Sequence, residues 1–135
     1  MTSDQDFVPA ASLTSAIRRL QTIGFEVIEC IDDKSAWAVY LRRRATTIEL
    51  SRDRGQEFVS IQVNERTHRF TLLRYVIAAV TGVLPDDRRI EPLVFQIEQY
   101  AEMSDEIDHL IDSETGLARI REMEERWVST YLGSQ

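Results

Sequence analysis

Four short runs of β-type residues lie in FEVIECIDDKSAWAVYLRRRATTIELSRDRGQEFVSIQV, residues 25–63, and they decide the fold. These runs are rich in aromatic and β-branched residues, and charged or glycine-containing turns separate them. We predict strands at 25–31, 36–41, 46–51 and 56–63. Because the connections between them are short, successive strands should pair antiparallel in a meander.

The last of these connections, Asp53-Arg54-Gly55, is a strong turn signal. Glycine readily adopts the positive φ that a three-residue hairpin loop with a bulge requires. We therefore expect a positive φ at Gly55 and a structural turn. The alternative is that Arg52 and Arg54 form a contact patch for a partner.

Helical patterns flank the strands. Residues 7–23 place apolar side chains on one face, and 70–83 are apolar almost all round, with Gly82 as the stop. A long helix should open at Pro92 and run to Ile111, and a final helix should span 117–131. We predict an α+β fold in a single domain, a four-stranded antiparallel β-meander with an N-terminal helix and three C-terminal helices packed on the sheet. The predicted core contains Trp37, Leu41, Ile48, Ile61, Ile77, Ile97, Ile120 and Trp127.

Composition indicates the class and the compartment. Of the 135 residues, 43% are hydrophobic and 29% charged, a balance typical of a globular domain rather than a disordered chain. Cys30 is the only cysteine and lies in an apolar stretch, as a small core residue of a cytoplasmic protein would. The acidic start, MTSDQDF, lacks the features of a signal peptide, and the longest apolar run, 75–80, is far shorter than a membrane span. We expect a cytoplasmic protein without membrane contact.

The net charge of −7 is unevenly distributed along the chain. Residues 1–85 hold 10 acidic and 11 basic residues, whereas 86–135 hold 13 acidic and 5 basic ones, a balance of −8. Such a surface repels nucleic acid and attracts a basic partner.

Much of this acidity lies in EQYAEMSDEIDHLIDSE, residues 98–114. On one continuous helix the first three acids recur at i, i+4 and i+7, so they would share a face. Like charges one turn apart cost an isolated helix about 0.2–0.5 kcal/mol per pair. A docked basic protein would relieve that repulsion, although arginines within the chain could do the same. The predicted partner-binding carboxylates are Glu98, Glu102, Asp105, Glu106, Asp108 and Asp112.

Two other readings of the polar segments are possible. Glu106-x-x-His109 has the spacing of one half of a di-iron site, but the sequence contains no second such pair. The run Arg42-Arg43-Arg44 lies in a basic stretch, Lys34 to Arg74, with 9 basic and 4 acidic residues. It could serve a regulatory or nucleic-acid-associated module at a sheet edge.

No nucleophile elbow, phosphate-binding glycine loop or zinc spacing is present in the sequence. We therefore predict a binding protein rather than an enzyme, with no metal or other cofactor.

The segment SRDRGQEFV, 51–59, resembles a hairpin of small bacterial immunity-like proteins of polymorphic toxin systems. The residues that carry this resemblance are Arg52, Asp53, Arg54, Gly55, Gln56 and Phe58. The upstream IGFEVIECIDDKSAWAVYLRR is similar to the helix end and first strands of such proteins, so the resemblance covers roughly 13–63. It implies an immunity or antitoxin-type protein that neutralises a basic toxin, such as a nuclease, by occlusion, and it supplies no catalytic residues.

Overall fold

The computed structural model describes residues 11–33, 36–64, 69–85 and 91–131. These residues form a five-stranded antiparallel sheet and helices before and after it. In chain order the elements are α1 (Ala11–Thr22), β1 (Glu26–Asp33), β2 (Ala36–Arg43), β3 (Thr46–Asp53), β4 (Gln56–Asn64), β5 (Arg69–Leu72), α2 (Leu73–Thr81), α3 (Leu93–Glu102), α4 (Ser104–Ile111) and α5 (Glu114–Tyr131). The predicted α+β class with an antiparallel meander is confirmed.

The strands follow one another in the sheet in the order of the chain, β1-β2-β3-β4-β5. Their register aligns apolar residues on one face: Val39 pairs with Leu50, and Leu50 with Val59. These three side chains are fully buried. This inner face packs against the helices in a single hydrophobic cluster. Alternation along the strands sends the intervening residues to the opposite face of the sheet.

The prediction of four strands was wrong by one. β5 occupies the start of the segment that was expected to be helical from Phe70. Phe70 and Thr71 pair with Gln62 and Ile61 of β4, and the helix begins only at Leu73. The apolar run continues from strand into helix without a glycine or a polar residue between them, so its sequence shows no boundary. β4 ends at Asn64 and β5 begins at Arg69, and residues 65–68 lie outside the described residues.

The single long helix predicted from Pro92 to Ile111 is two helices. Pro92 does precede the first residue of α3, as expected. At Met103, φ is −117° and ψ is 16°, so α3 ends there and α4 starts at the next residue. The described residues therefore contain four helices after the sheet, where three were predicted.

The β3–β4 connection is tighter than the predicted three-residue loop. Asp53 pairs with Gln56, which leaves only Arg54 and Gly55 in the turn. Both have positive φ, 55° and 82°, which is the requirement of a type I′ turn. The positive φ predicted at Gly55 is confirmed, and the bulged three-residue loop is corrected to a two-residue turn.

Six of the eight predicted core residues are buried: Leu41, Ile48, Ile61, Ile97, Ile120 and Trp127. Trp37 and Ile77 are half-buried and pack against the same cluster, as does Cys30. Sequence reasoning left out Tyr100, which is fully buried. Its hydroxyl takes part in the polar network described below.

The two edges of the sheet are protected from pairing with another strand in different ways. Beyond the end of β5, the side chain of Gln96 from α3 lies against β4: its Oε1 accepts from the Val59 N–H at 3.1 Å, and its Nε2 donates to the Glu57 carbonyl at 3.2 Å. The amide therefore takes the place of a neighbouring strand. The β1 edge is exposed along nearly its whole length, and a bulge at Ile28 interrupts it. Bulges and charges of this kind discourage edge-to-edge pairing.

Candidate functional site

The arginine run lies where β2 ends and turns into β3. Arg43 continues the inward-facing series of Val39 and Leu41, so alternation directs it toward the helices rather than toward solvent. Arg42 is exposed and donates from its Nε to the Arg44 carbonyl at 2.9 Å. Arg44 is the first residue of the turn and has a φ of 55°.

Arg43 is the centre of a half-buried polar network. Its Nη2 lies 2.6 Å from Asp108 Oδ2, its Nη1 donates to the Ile23 carbonyl at 2.9 Å, and its guanidinium lies 5.0 Å from the centroid of the Phe25 ring. Tyr100 donates from its hydroxyl to Asp108 Oδ1 at 2.9 Å. Burial, and then the neighbouring Asp108 carboxylate, raise the pKa of Tyr100 above its ordinary value, so this phenol remains a donor.

This network contains one predicted contact residue. Asp108 binds Arg43 and Tyr100 at once and thereby joins β2, α3 and α4. A second predicted contact, Glu98, accepts from Arg19 Nε of α1 at 2.7 Å. These two carboxylates are engaged by the chain's own arginines, one of the two outcomes that the sequence left open.

The remaining four predicted carboxylates are exposed. Glu102 ends α3, Asp105 and Glu106 lie in the first turn of α4, and Asp112 is its C-cap. Within the described parts of the chain, none of the four forms an ion pair. We call this group of four the acidic corner. The break at Met103 separates Glu102 from the other three, so the corner is a junction between helices rather than one helical stripe.

A mixed-charge cleft of about 510 Å³ lies beside the acidic corner. Three arginines and three carboxylates line it, together with Ile23 and Gly24: Arg42, Arg43, Arg44, Glu26, Asp105 and Asp108. One of the arginines, Arg43, is already held by Asp108. The carboxylates would repel a phosphate, so the geometry weakens the predicted nucleic-acid use of this sheet edge.

The predicted second patch, Arg52 and Arg54, lies at the other end of the sheet. Thr46 pairs with Arg43, and Arg52 is six residues further along β3, roughly 20 Å at the rise of an extended strand. Both Arg52 and Arg54 are exposed. The structure therefore does not bring this arginine patch and the acidic corner together.

The face of the sheet opposite the helices holds a cluster that sequence reasoning missed. In register across five strands lie Glu29, Tyr40, Glu49, Ser60 and Leu72. Tyr40 donates from its hydroxyl to Glu49 Oε2 at 2.6 Å. This hydrogen bond, then burial, then the charges of the two glutamates, raise the pKa of Tyr40 to about 12. The alternation that buries Val39 was the signal that could have placed Tyr40 on this face.

We call this surface the open face. Among the described residues that point to it, only Thr47 and Ser60 are buried, and the others are half-buried or exposed. The rings of Tyr40 and Phe70 meet edge to face at 5.7 Å. Since β2 and β5 are three strand positions apart, roughly 14 Å in a flat sheet, the two side chains must lean toward each other over the strands between them.

A cavity of about 360 Å³ lies between the β4–β5 pair and α5, where Arg69 binds Glu124 at 3.2 Å. In the residues that the structure describes, no three His, Cys, Asp or Glu side chains gather closely enough to hold a metal ion. Glu106 and His109, the pair with metal-like spacing, are both exposed.

None of the described helices combines the length and the apolar character needed to cross a lipid bilayer.

Comparisons with known proteins add no relative to this chain. Neither protein-family models, nor curated proteins, nor solved structures yield a match.

Proposed function

We propose that this chain is a protein-binding module that recognises a basic protein surface. The observation that carries the proposal is the division among its carboxylates. Asp108 and Glu98 are engaged internally, whereas the four acids of the acidic corner are exposed and form no ion pair within the described residues. Complementary charge of this kind accelerates association and helps to select the partner.

In its specific form, the proposal is an immunity-type protein of the bacterial cytoplasm. It would neutralise a basic toxin by covering the toxin's functional surface, with carboxylates occupying the positions that substrate phosphates take in a nuclease. Such a protein needs no catalytic group and no cofactor. The resemblance of the Arg52–Phe58 hairpin to immunity-like proteins points the same way.

A structural role for part of the corner must be weighed against this proposal. Asp105 and Glu106 lie in the first turn of α4, where the helix dipole favours negative charge by about 0.3–1 kcal/mol each. That effect requires no partner. Glu102 lies at the C-terminal end of α3, where the dipole of that helix disfavours a carboxylate.

The test is capture of the partner followed by reconstitution. The tagged chain is used to retrieve proteins from its own cells, and retained proteins are identified by mass spectrometry. A basic protein should be retained by the wild type, bind as a purified component and lose its activity in the complex. The matched comparison is a variant with Glu102→Gln, Asp105→Asn and Glu106→Gln, which should retain much less of it. Equal capture by the variant, or retention of nucleic acid without a protein, would contradict the proposal.

A further inference from the structure

The open face combines aromatic rings with two carboxylates that form no ion pair within the described residues. Tyr40 lies between Glu29 on β1 and Glu49 on β3, one neighbour on each side in register. Within the described residues, neither glutamate forms an ion pair. Within those residues, the Glu49 side chain accepts one hydrogen bond, from the Tyr40 hydroxyl, which is an uncharged donor.

Glu49 is the less exposed of the two carboxylates. It is half-buried, so water solvates it only in part, and its partner is a phenol rather than a cation. A carboxylate in this position is stabilised when a positive group approaches from the open side. Arg42 shares this face one row away, where its Nε is bound to the Arg44 carbonyl.

The aromatic part of the face provides a platform for the same cation. The Tyr40 and Phe70 rings are in edge-to-face contact, and Phe58 lies on the next row, beside Ser51. Next to them, Thr47 is only 5% exposed and its hydroxyl has no hydrogen-bond partner among the described residues.

We propose that the open face receives an arginine side chain of the basic partner, with the guanidinium between Glu29 and Glu49 and against the Tyr40 ring. The inference rests on the proposed function, because it takes the partner to be basic, and it adds a second contact surface to the acidic corner. Arginine fits better than lysine, since its planar guanidinium both stacks on an aromatic ring and binds carboxylates through paired hydrogen bonds. A second copy of this chain would set carboxylates against carboxylates and is disfavoured.

The test is an NMR titration of the ¹⁵N-labelled full chain with a defined probe, capped hexa-arginine, and with capped hexa-lysine for comparison. Chemical-shift changes should centre on Tyr40, Glu49 and Phe70, and hexa-arginine should bind more tightly than hexa-lysine. Glu49→Gln should weaken hexa-arginine binding about tenfold, because a charge-assisted hydrogen bond is lost. Glu29→Gln, on the exposed edge strand, should weaken it severalfold. The control Glu122→Gln, at an exposed position of α5, should leave the affinity for hexa-arginine within twofold of wild type.

The outcomes separate this inference from the proposed function. Shifts confined to the acidic corner would overturn the arginine site and leave the proposed function standing. Unchanged affinity of both the Glu49→Gln and the Glu29→Gln variants, or equal binding of the two peptides, would also overturn the site. No shift on either surface would count against both. The spectra of the free variants report whether each is folded, and Glu29→Gln tests the site if Glu49→Gln does not fold.

Discussion

At the scale of single residues, the β3–β4 turn depends on backbone conformation rather than on packing. A Cβ added at Gly55 would meet no atom within 4 Å, so the space around it is open. The restriction comes from its φ of 82°, which β-branched residues strongly disfavour. Arg54 has a φ of 55° and bears the same kind of cost with a long side chain.

The first prediction is a pair of opposite effects at this turn. Gly55→Val should lower the free energy of unfolding by about 1 kcal/mol or more. Arg54→Asn should raise it by up to about 1 kcal/mol, since Asn-Gly is the preferred type I′ pair. Chemical denaturation of both variants measures the two effects. A Gly55→Val protein as stable as wild type would show that the turn does not need the left-handed conformation.

The second prediction compares the two internal ion pairs. Asp108→Ala removes the carboxylate that binds both Arg43 and Tyr100 in a half-buried network. Because the Arg43 guanidinium then lacks its carboxylate, the free energy of unfolding should fall by about 2–3 kcal/mol. Glu98→Gln breaks a pair whose side chains are 39% and 44% exposed, and should cost less than about 1 kcal/mol. Denaturant melts of the two variants give the comparison. Equal losses would mean that Asp108 is not the structural member of the acidic segment.

At the scale of elements, alternation predicted β2, β3 and β4 well because one face of each is buried. β1 is exposed along nearly its whole length, and its β-branched residues were the signal that placed it. Alternation failed at β5, where a strand only four residues long runs directly into a helix. It also missed the end of α3, because Met103 and Ser104 are neither glycine nor proline. The apolar pattern continues across the break, so no local signal marks it. Element boundaries of this kind are tertiary effects, and a local sequence pattern does not contain them.

The third prediction concerns the β4 edge that Gln96 covers. Gln96→Leu keeps the helix but leaves the Val59 N–H and the Glu57 carbonyl without this side chain, at a cost of about 1–3 kcal/mol. The control is Gln99→Leu on the same helix, one turn later, whose side chain forms no hydrogen bond in the described residues. Thermal melts of both proteins test the difference. Equal melting temperatures would show that water replaces the amide at no cost.

At the scale of the whole molecule, the sequence revealed the charge imbalance but not where the charges meet. Arg43 and Asp108 are 65 residues apart in the chain, and only the fold brings them together. Arg43 lies two residues after Leu41 on the same strand, so alternation could have indicated that this arginine points inward. The open face was less visible, because a glutamate beside a tyrosine becomes apparent only once strand register is known. The acidic segment could therefore be found from sequence, but its division into internal and exposed carboxylates could not.

The fourth prediction is a loss of stability in alkali. The pKa of Tyr40 is raised from 10.0 in a free chain to about 12 in the folded protein, chiefly by the hydrogen bond to Glu49. The folded state therefore favours the protonated phenol. The stability that the protonated Tyr40 phenol contributes to the folded state is complete below pH 10 and is lost as the pH rises toward 12. The stability of wild type relative to Tyr40→Phe should fall over that interval, as measured by denaturation at a series of pH values. A constant difference would show that the hydrogen bond to Glu49 does not hold the proton.

The central claim is that exposed carboxylates guide this chain to a basic protein, and association kinetics test it most directly. On-rates with the captured partner are measured over a salt series for three proteins: wild type, the Glu102→Gln, Asp105→Asn, Glu106→Gln variant, and a control with Asp32→Asn, Glu122→Gln and Glu125→Gln. Both variants lose three negative charges from exposed positions. The corner variant should associate more slowly and with a flatter salt dependence, and the control should remain close to wild type. Equal on-rates and equal salt slopes for all three proteins would contradict the claim.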